Sequence, residues 1–317
     1  MSKKPVVRKQ SKKIADSRRV RYGSGFAPRV VRAADAATRA RSASAAASRP
    51  PRSGSRRRVV NGTPQPSPAV TFYGAVPGVR APMRADAAVL GTLPARGFQY
   101  CEALRAASSF GWYVFPPIDF TLQWDGSQIL WTYHGARAWY PLLSAQFPAF
   151  SAEFDRRAPK RLRGFAPPFL TAVPEPGIVQ VWTGLFIGSA RDWSILVRPP
   201  ANLPRSLAYD LYEGIVETDR WFGPLFTNLR LIKTDVPIHF STETPLVQVQ
   251  PLHRSTYAEE VSNRFGMVGG LADFSAEAWA RYEATIVAPN RDPARPAGAY
   301  AAEVRRRRRS GCPVHAA

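Results

Sequence analysis

Alternating apolar and polar residues on both sides of an Asp-Gly pair predict a β-hairpin near the middle of the chain. Residues 118–124 and 127–133 both alternate, which is the pattern of strands that bury one face. The pair Asp125-Gly126 stands between them and tolerates the positive φ angles of a tight primed turn. We therefore predict two antiparallel strands joined at this pair.

Other short β-like segments, separated by Pro- and Gly-rich stretches, extend this pattern. They cover residues 178–187, 193–198, 225–233 and 246–249. Helical spacing is confined to the flanks, at residues 98–109 and at residues 275–285, where Ser275 supplies an N-cap. We predict a β-rich α+β fold, an antiparallel β-sandwich or barrel-like domain with flanking helices.

Charge divides the chain of 317 residues into three parts. Residues 1–68 carry 18 Lys and Arg against 2 Asp and Glu, residues 291–317 carry 7 against 2, and residues 69–290 carry 19 of each. The neutral part also holds all eight tryptophans, so a uniformly basic globule is excluded. We predict a disordered basic arm (1–68), one β-rich globular domain (69–290) and a disordered Arg-rich tail (291–317).

The basic tails suggest a polyanionic partner but do not specify one. Like-charge segments of this kind bind nucleic acid or anionic surfaces through phosphate groups, without reading sequence. Two plainer interpretations stay open: the tails are solvated and have no partner, or the Arg- and Ala-rich leader arises from too early a start codon.

Cysteine usage and hydropathy indicate where the protein resides. Cys101 and Cys312 are too few for a disulfide framework and have no metal-ligand spacing, which favours a reducing cytoplasm. No apolar run is long enough for a transmembrane helix. The tripeptide Cys312-Pro313-Val314 resembles short haem-responsive motifs, although a terminal cysteine is more often a free thiol.

Several enzyme signatures are missing from the sequence. There is no Gly-x-Ser-x-Gly elbow, P-loop or dinucleotide fingerprint. The histidines His134, His239 and His253 lack the paired spacing that projects two ligands from one strand, so we predict no metal site. The cofactor, if the protein has one, is not indicated.

The densest group of polar residues lies between residues 198 and 228. Glu217 and Asp219 share one strand parity and are candidates for a catalytic acid/base pair. The candidate ligand-binding residues are Arg198, Asn202, Trp221 and Asn228, with Trp112 and Trp182 as further aromatic walls. The alternative is an internal network that satisfies backbone groups in irregular loops.

A series of short motifs lies between residues 98 and 265. They are Phe110-Gly111-Trp112 with Pro116, Trp124-Asp125-Gly126, residues 198–202, residues 213–219 and Phe226-Thr227-Asn228. In this order they resemble the bacterial family known as domain of unknown function 6065. The resemblance leaves out both basic tails and implies no activity, because the family has no assigned one.

Two functional hypotheses follow from the sequence. The first is a small-ligand-binding or enzymatic β-domain whose pocket unites the polar group around Arg198 and Glu217. The second is a binding or assembly protein that uses basic tails to hold nucleic acid or another polyanion, in the extreme case as a shell protein. Whether the protein catalyses a reaction is left open.

Overall fold

The chain is built mainly from short strands, as the alternating pattern predicts. The computed structural model describes residues 68–310, and within them the chain forms fifteen strands and seven α-helices. The strands are β1 (Val70–Gly74), β2 (Met83–Arg84), β3 (Trp112–Val114), β4 (Phe120–Trp124), β5 (Ile129–Tyr133), β6 (Tyr140–Pro141), β7 (Ser144–Ala145), β8 (Leu170–Ala172), β9 (Ile178–Ser189), β10 (Trp193–Arg198), β11 (Tyr209–Leu211), β12 (Gly214–Val216), β13 (Gly223–Leu231), β14 (Ile238–Phe240) and β15 (Val247–His253). The helices are α1 (Ala95–Tyr100), α2 (Glu102–Ser109), α3 (Phe150–Arg157), α4 (Glu259–Ser262), α5 (Ala276–Tyr282), α6 (Ala288–Arg291) and α7 (Ala299–Ser310).

The predicted hairpin is confirmed as β4 and β5, which pair in antiparallel register from Phe120 opposite Tyr133 to Trp124 opposite Ile129. Gly126 adopts a φ of 97°, the left-handed conformation that the turn requires. The Asp125 carboxylate accepts hydrogen bonds from the backbone N–H groups of Ser127 and Gln128 at 2.8 and 2.7 Å. These bonds stabilise the charged form and lower the pKa of Asp125 to about 2.

The strands form three antiparallel sheets. The first has six strands in the order β11-β13-β9-β8-β7, with β1 also paired to β9; the second is β12-β10-β15-β3-β2; the third is β14-β4-β5-β6. Residues of all three sheets share one hydrophobic core, which includes Leu122, Val181 and Ile195. The β-rich α+β class is confirmed, and the arrangement is sandwich-like; within the described residues the sheets do not close into a barrel.

The strands β9 and β10 follow one another in sequence but belong to different sheets. β9 pairs with β13 in the first sheet, whereas β10 pairs with β12 and β15 in the second. Asp192, in the connection between them, has a φ of 65°. The chain therefore crosses from one layer to the other at residues 190–192.

The two predicted helical regions are present with altered boundaries. The first is split into α1 and α2 at Cys101, whose φ of −113° and ψ of 96° are extended. The second begins at the predicted cap, because the Ser275 side chain accepts a hydrogen bond from the N–H of Ala278. It continues beyond α5 through a π-helical turn, Glu283–Val287, into α6.

The Arg-rich C-terminal segment is partly helical, in contrast to the predicted disorder of residues 291–317. Helix α7 packs on α1 and α2, where Ala301 is fully buried. The buried Glu102 carboxylate accepts ion pairs from Arg105 and Arg305 at 3.2 and 3.0 Å. Arg is also a good helix former. The arginines of α7, which would repel one another in isolation, are stabilised by Glu102, a carboxylate distant in sequence. Residues 1–67 and 311–317, and with them nearly all of the predicted basic arm and Cys312, lie outside the described residues.

Candidate functional site

The two candidate catalytic carboxylates lie against an arginine that the sequence did not single out. Arg254 begins the 3₁₀ turn Arg254–Thr256 that follows β15. Its Nη2 group donates to Oδ1 and Oδ2 of Asp219 at 2.5 and 2.6 Å, and its Nη1 group forms an ion pair with Glu217. Both carboxylates are therefore engaged within the protein.

The turn that carries these carboxylates is fixed by the strand pairing beside it. β12 pairs with β10 and ends at Val216, so residues 217–221 turn back towards β13. Within this turn the hydroxyl of Thr218 donates to Ser189 at 2.8 Å, and Asp219 accepts the N–H of Asp192 at 3.0 Å. The cluster joins the turn, the β9–β10 connection and the end of β15.

Electrostatics keep this cluster charged. The hydrogen bonds from Arg254 hold the pKa of the Asp219 carboxyl below its ordinary value. In return, the hydrogen bonds to Asp219 and Glu217 raise the pKa of the Arg254 guanidinium. A general acid or base works best with a pKa near the operating pH. The pKa of Asp219 is instead lowered, away from neutral pH.

Arg198 stands at the other end of β10 from the carboxylates. The antiparallel register that sets Val197 opposite Gly214 brings Glu213 beside Arg198, and Nη2 of Arg198 lies 3.4 Å from Oε1 of Glu213. Glu217 lies four residues further along β12 and its turn, a separation of roughly 13 Å at strand spacing. Arg198 and Glu217 therefore do not form one site.

Asn202 is hydrogen-bonded within the protein. It adopts a φ of 62°, and its side chain donates to Oγ of Ser108 at 3.0 Å. The fully buried Gln248 fixes the same loop, because its carbonyl oxygen accepts the N–H of Ala201 at 2.7 Å and its amide donates to the carbonyl of Phe110 at 2.7 Å. These contacts attach the Pro-rich loop to the end of α2.

The remaining candidates are dispersed over the domain. Trp182 is fully buried in the core and donates its indole N–H to the carbonyl of Leu185. Trp112 packs edge-on against Phe72, whereas Trp221 and Asn228 are exposed. The six predicted site residues and the two further tryptophans line neither of the two concavities described below.

Two concavities of the described region lie elsewhere. A cavity of about 140 Å³ lies beside the Pro-rich loop and is lined in part by Arg205, Tyr209 and His239, smaller than the roughly 300–1,000 Å³ typical of ligand sites. A larger, shallow one of about 360 Å³ lies between Tyr100 and residues 289–300. Neither includes Glu217, Asp219 or Arg198.

Metal-ligand clusters and membrane-spanning helices are both absent among residues 68–310. Across residues 68–310, no group of three His, Cys, Asp or Glu side chains is arranged to hold a metal ion. The helices of this same range are all too short or too polar to cross a bilayer. Cys101 is a half-buried free thiol at the junction of α1 and α2.

Sequence reasoning missed the two residues that organise this region, Arg254 and Gln248. Gln248 belongs to β15 and Arg254 follows it. Asp219 lies 35 residues from Arg254, and the partners Ala201 and Phe110 lie 47 and 138 residues from Gln248. No local spacing signals such contacts. The structure thus supports the alternative interpretation of the polar group, an internal network that fixes loops.

Comparison with known proteins gives no relative from which a function could be taken. No family model matches the chain, and no curated protein matches it.

Proposed function

We propose that the protein is a nucleic-acid-binding assembly protein, in which basic terminal segments bind the polyanion and the β-domain supplies contacts between copies. The observation that carries the proposal is the separation of charge: residues 1–68 hold 16 excess positive charges, whereas residues 69–290 are neutral. Phosphate binding through Lys and Arg requires charge density and no pocket.

The C-terminal helix adds cations of the same kind. Arg305 and Arg308 are tied to Glu102, and Arg307 is paired with Glu303. Arg306 and Arg309 are exposed and have no ion-pair partner among residues 68–310. Helix α7 is therefore anchored by some of its arginines and presents others to solvent, where phosphate can reach them.

The small-ligand hypothesis has less support. Its carboxylates are occupied by Arg254, and Arg198 lies at the far end of β10. Whether the protein catalyses a reaction stays open, and the resemblance to domain of unknown function 6065 stays a proposal that names no reaction. We place the protein in the bacterial cytoplasm, in keeping with its cysteine usage.

The experiment that tests the proposal is fluorescence anisotropy with labelled single-stranded RNA and duplex DNA of unrelated sequences. The full chain should bind both with little sequence preference, and its affinity should fall steeply between about 50 and 200 mM salt. Replacing Arg56, Arg57 and Arg58 with Gln should reduce the salt slope by up to about 0.9 for each lost phosphate contact.

A matched control removes the same charge from the β-domain. Arg137, Arg230 and Lys233 are exposed and have no ion-pair partner in the described range. Their replacement by Gln should leave the salt slope unchanged. Equal losses in both triple variants would mean that net charge alone governs binding, and binding that ignores salt would contradict the proposal.

A further inference from the structure

The chain leaves its sheets at the end of β15 and does not return to a core until α7. From residue 251 to residue 300 no residue is buried, and Ala301 is the first that is. Residues 259–290, which we call the C-terminal strap, contain α4, α5, the π-helical turn and most of α6. The strap therefore folds locally without covering its apolar side chains.

The exposed apolar surface of the strap is large. Nine of its large hydrophobic side chains are exposed, and Phe265 and Met267 are 82% and 86% exposed. A large apolar side chain covers roughly 150–250 Å² when fully exposed, so nine that are about half exposed present on the order of 900 Å² of apolar surface in total. That area approximates the roughly 800 Å² that each partner contributes to a stable interface.

Both ends of the strap are fixed to the β-domain. On one side, the N–H of Arg254 donates to the carbonyl of Asp192 and its guanidinium binds Asp219. On the other side, Arg305 of α7 binds the buried Glu102. The strap is therefore a tethered loop held out from the domain, a geometry that presents it to another molecule at little further cost in chain entropy.

Charge indicates which surface the strap fits. The strap carries five Asp and Glu against two Arg. Residues 155–165, which we call the basic face, carry five Lys and Arg against one Asp, and they also expose Leu162 and Phe165. Arg156 and Arg157 pair with Glu153, so Lys160, Arg161 and Arg163 supply the net positive charge. The basic face is held together by the hydrogen bond from the N–H of Gly164 to Asp155 at 2.8 Å. An acidic apolar surface and a basic apolar surface thus occur on one chain, and both are exposed.

We propose that the strap of one copy docks on the basic face of a second copy. The contact joins two different surfaces, so it is heterologous and generates a ring or an open array. This inference rests on the proposed function, because an assembly that binds a polyanion needs contacts between its copies. It uses no residue of the basic N-terminal segment, however, and is tested separately from nucleic-acid binding.

The test is sedimentation velocity on nuclease-treated full-length protein over a range of concentrations. The wild type should associate beyond a monomer. We compare a strap variant (Phe265→Ser, Met267→Ser, Leu271→Ser) with a face variant (Leu162→Ser, Phe165→Ser). Each should need a concentration at least tenfold higher than the wild type to reach half association. All five side chains are exposed, and unchanged circular dichroism would show that the variants fold.

A control variant changes apolar residues of equal exposure outside both surfaces. Leu143 and Leu207 are 77% and 79% exposed, and replacing both with Ser should leave association as in the wild type. Mixing the strap variant with the face variant should then restore one intact contact and stop at a dimer. That complementation is expected only if two different surfaces meet.

Three results would overturn the inference. They are a wild type that is monomeric at every concentration, equal association of the strap and control variants, and a face variant that associates like the wild type. In the last case the strap pairs with something other than the basic face. A wild type that associates but does not bind nucleic acid would contradict nucleic-acid binding, the other part of the proposed function, and would leave this interface unaffected.

Discussion

One amino group of Arg254 donates to both carboxylate oxygens of Asp219, at 2.5 and 2.6 Å. This contact joins the end of β15 to the turn after β12, and the N–H of Asp192 adds the β9–β10 connection. Two connections that cross between sheets and the end of the last strand are thus held by one carboxylate. Because both oxygens of Asp219 are engaged by Arg254, the contact favours a structural role for the pair.

We predict that Arg254→Ala lowers thermal stability much more than Arg198→Ala. Loss of Arg254 leaves Asp219 and Glu217 without their main partner and should reduce the melting temperature by several degrees. Arg198 has only a partly exposed partner at 3.4 Å, so its loss should cost at most about 0.5 kcal/mol. Arg220→Ala is the matched control, since Arg220 also contacts Glu217 but is largely exposed. Equal melting temperatures for the Arg254 and Arg220 variants would refute the structural role.

Stability should decrease in acid, and Asp219 should account for part of the decrease. Hydrogen bonds lower the folded-state pKa of Asp219, Asp119 and Asp125 below that of the unfolded chain. The contribution of such groups is complete above about pH 4 and is lost as pH falls through the folded pKa, because the unfolded state then binds more protons. Urea denaturation at descending pH should show a shallower decline in Asp219→Asn than in the wild type. Parallel curves would contradict the assignment.

The sequence predicts features of the fold that depend on neighbouring residues. The β4–β5 hairpin follows from alternation and from Asp125-Gly126, all within sixteen residues. Ser275 caps α5 through a hydrogen bond to an N–H three residues away. Helix α7 could not be predicted this way. Its arginines repel one another locally, and the carboxylate that neutralises them, Glu102, lies about two hundred residues earlier.

The candidate site shows the same limit more strongly. Sequence proximity placed Arg198 and Glu217 together, but the antiparallel register pairs Arg198 with Glu213 instead. Glu217 and Asp219 share the partner Arg254, but they lie in the turn after β12 and not, as strand parity predicts, on one face of a strand. Strand parity could not identify Arg254, because that contact depends on where β15 ends in the second sheet.

Glu102→Gln should release the C-terminal helix from the domain. The variant loses the charged partner of Arg105, Arg305 and Arg308, which leaves their guanidinium groups without the carboxylate that draws α7 onto α2. Hydrogen exchange in α7 should accelerate while exchange in β9 stays slow. Glu303→Gln, which removes only an exposed pair within α7, serves as the comparison; equally fast exchange in both variants would argue against anchoring by Glu102.

Gly111→Ala should be far more destabilising than Gly135→Ala. Both glycines have a φ near 90°, but a Cβ at Gly111 would lie 2.0 Å from the carbonyl oxygen of Val249, whereas the space around Gly135 is open. The left-handed conformation alone costs about 1–2 kcal/mol, and the steric clash adds about 1–3 kcal/mol. Chemical denaturation measures the difference directly, and similar losses would mean that β15 shifts freely.

Deleting residues 1–68 should leave the melting temperature nearly unchanged while removing 16 excess positive charges. The deletion spares Ala69, whose carbonyl accepts the N–H of Ala190, and all of β1. Differential scanning calorimetry of the two proteins at equal ionic strength makes the comparison. A fall of several degrees on deletion would show that the basic segment packs on the domain.

Strand β9 determines when this protein can complete its fold. β13 covers one edge of β9, and the other edge takes β8 and then β1, whose residue Val70 pairs with Ser189. On a ribosome, β1 therefore emerges more than a hundred residues before its partner, and β9 waits for β13 with one edge unpaired. Such distant pairings form slowly, and open edges of apolar strands pair readily with other chains. We expect newly made chains to be most prone to aggregation between the synthesis of residues 189 and 231, the interval in which chaperones would protect them.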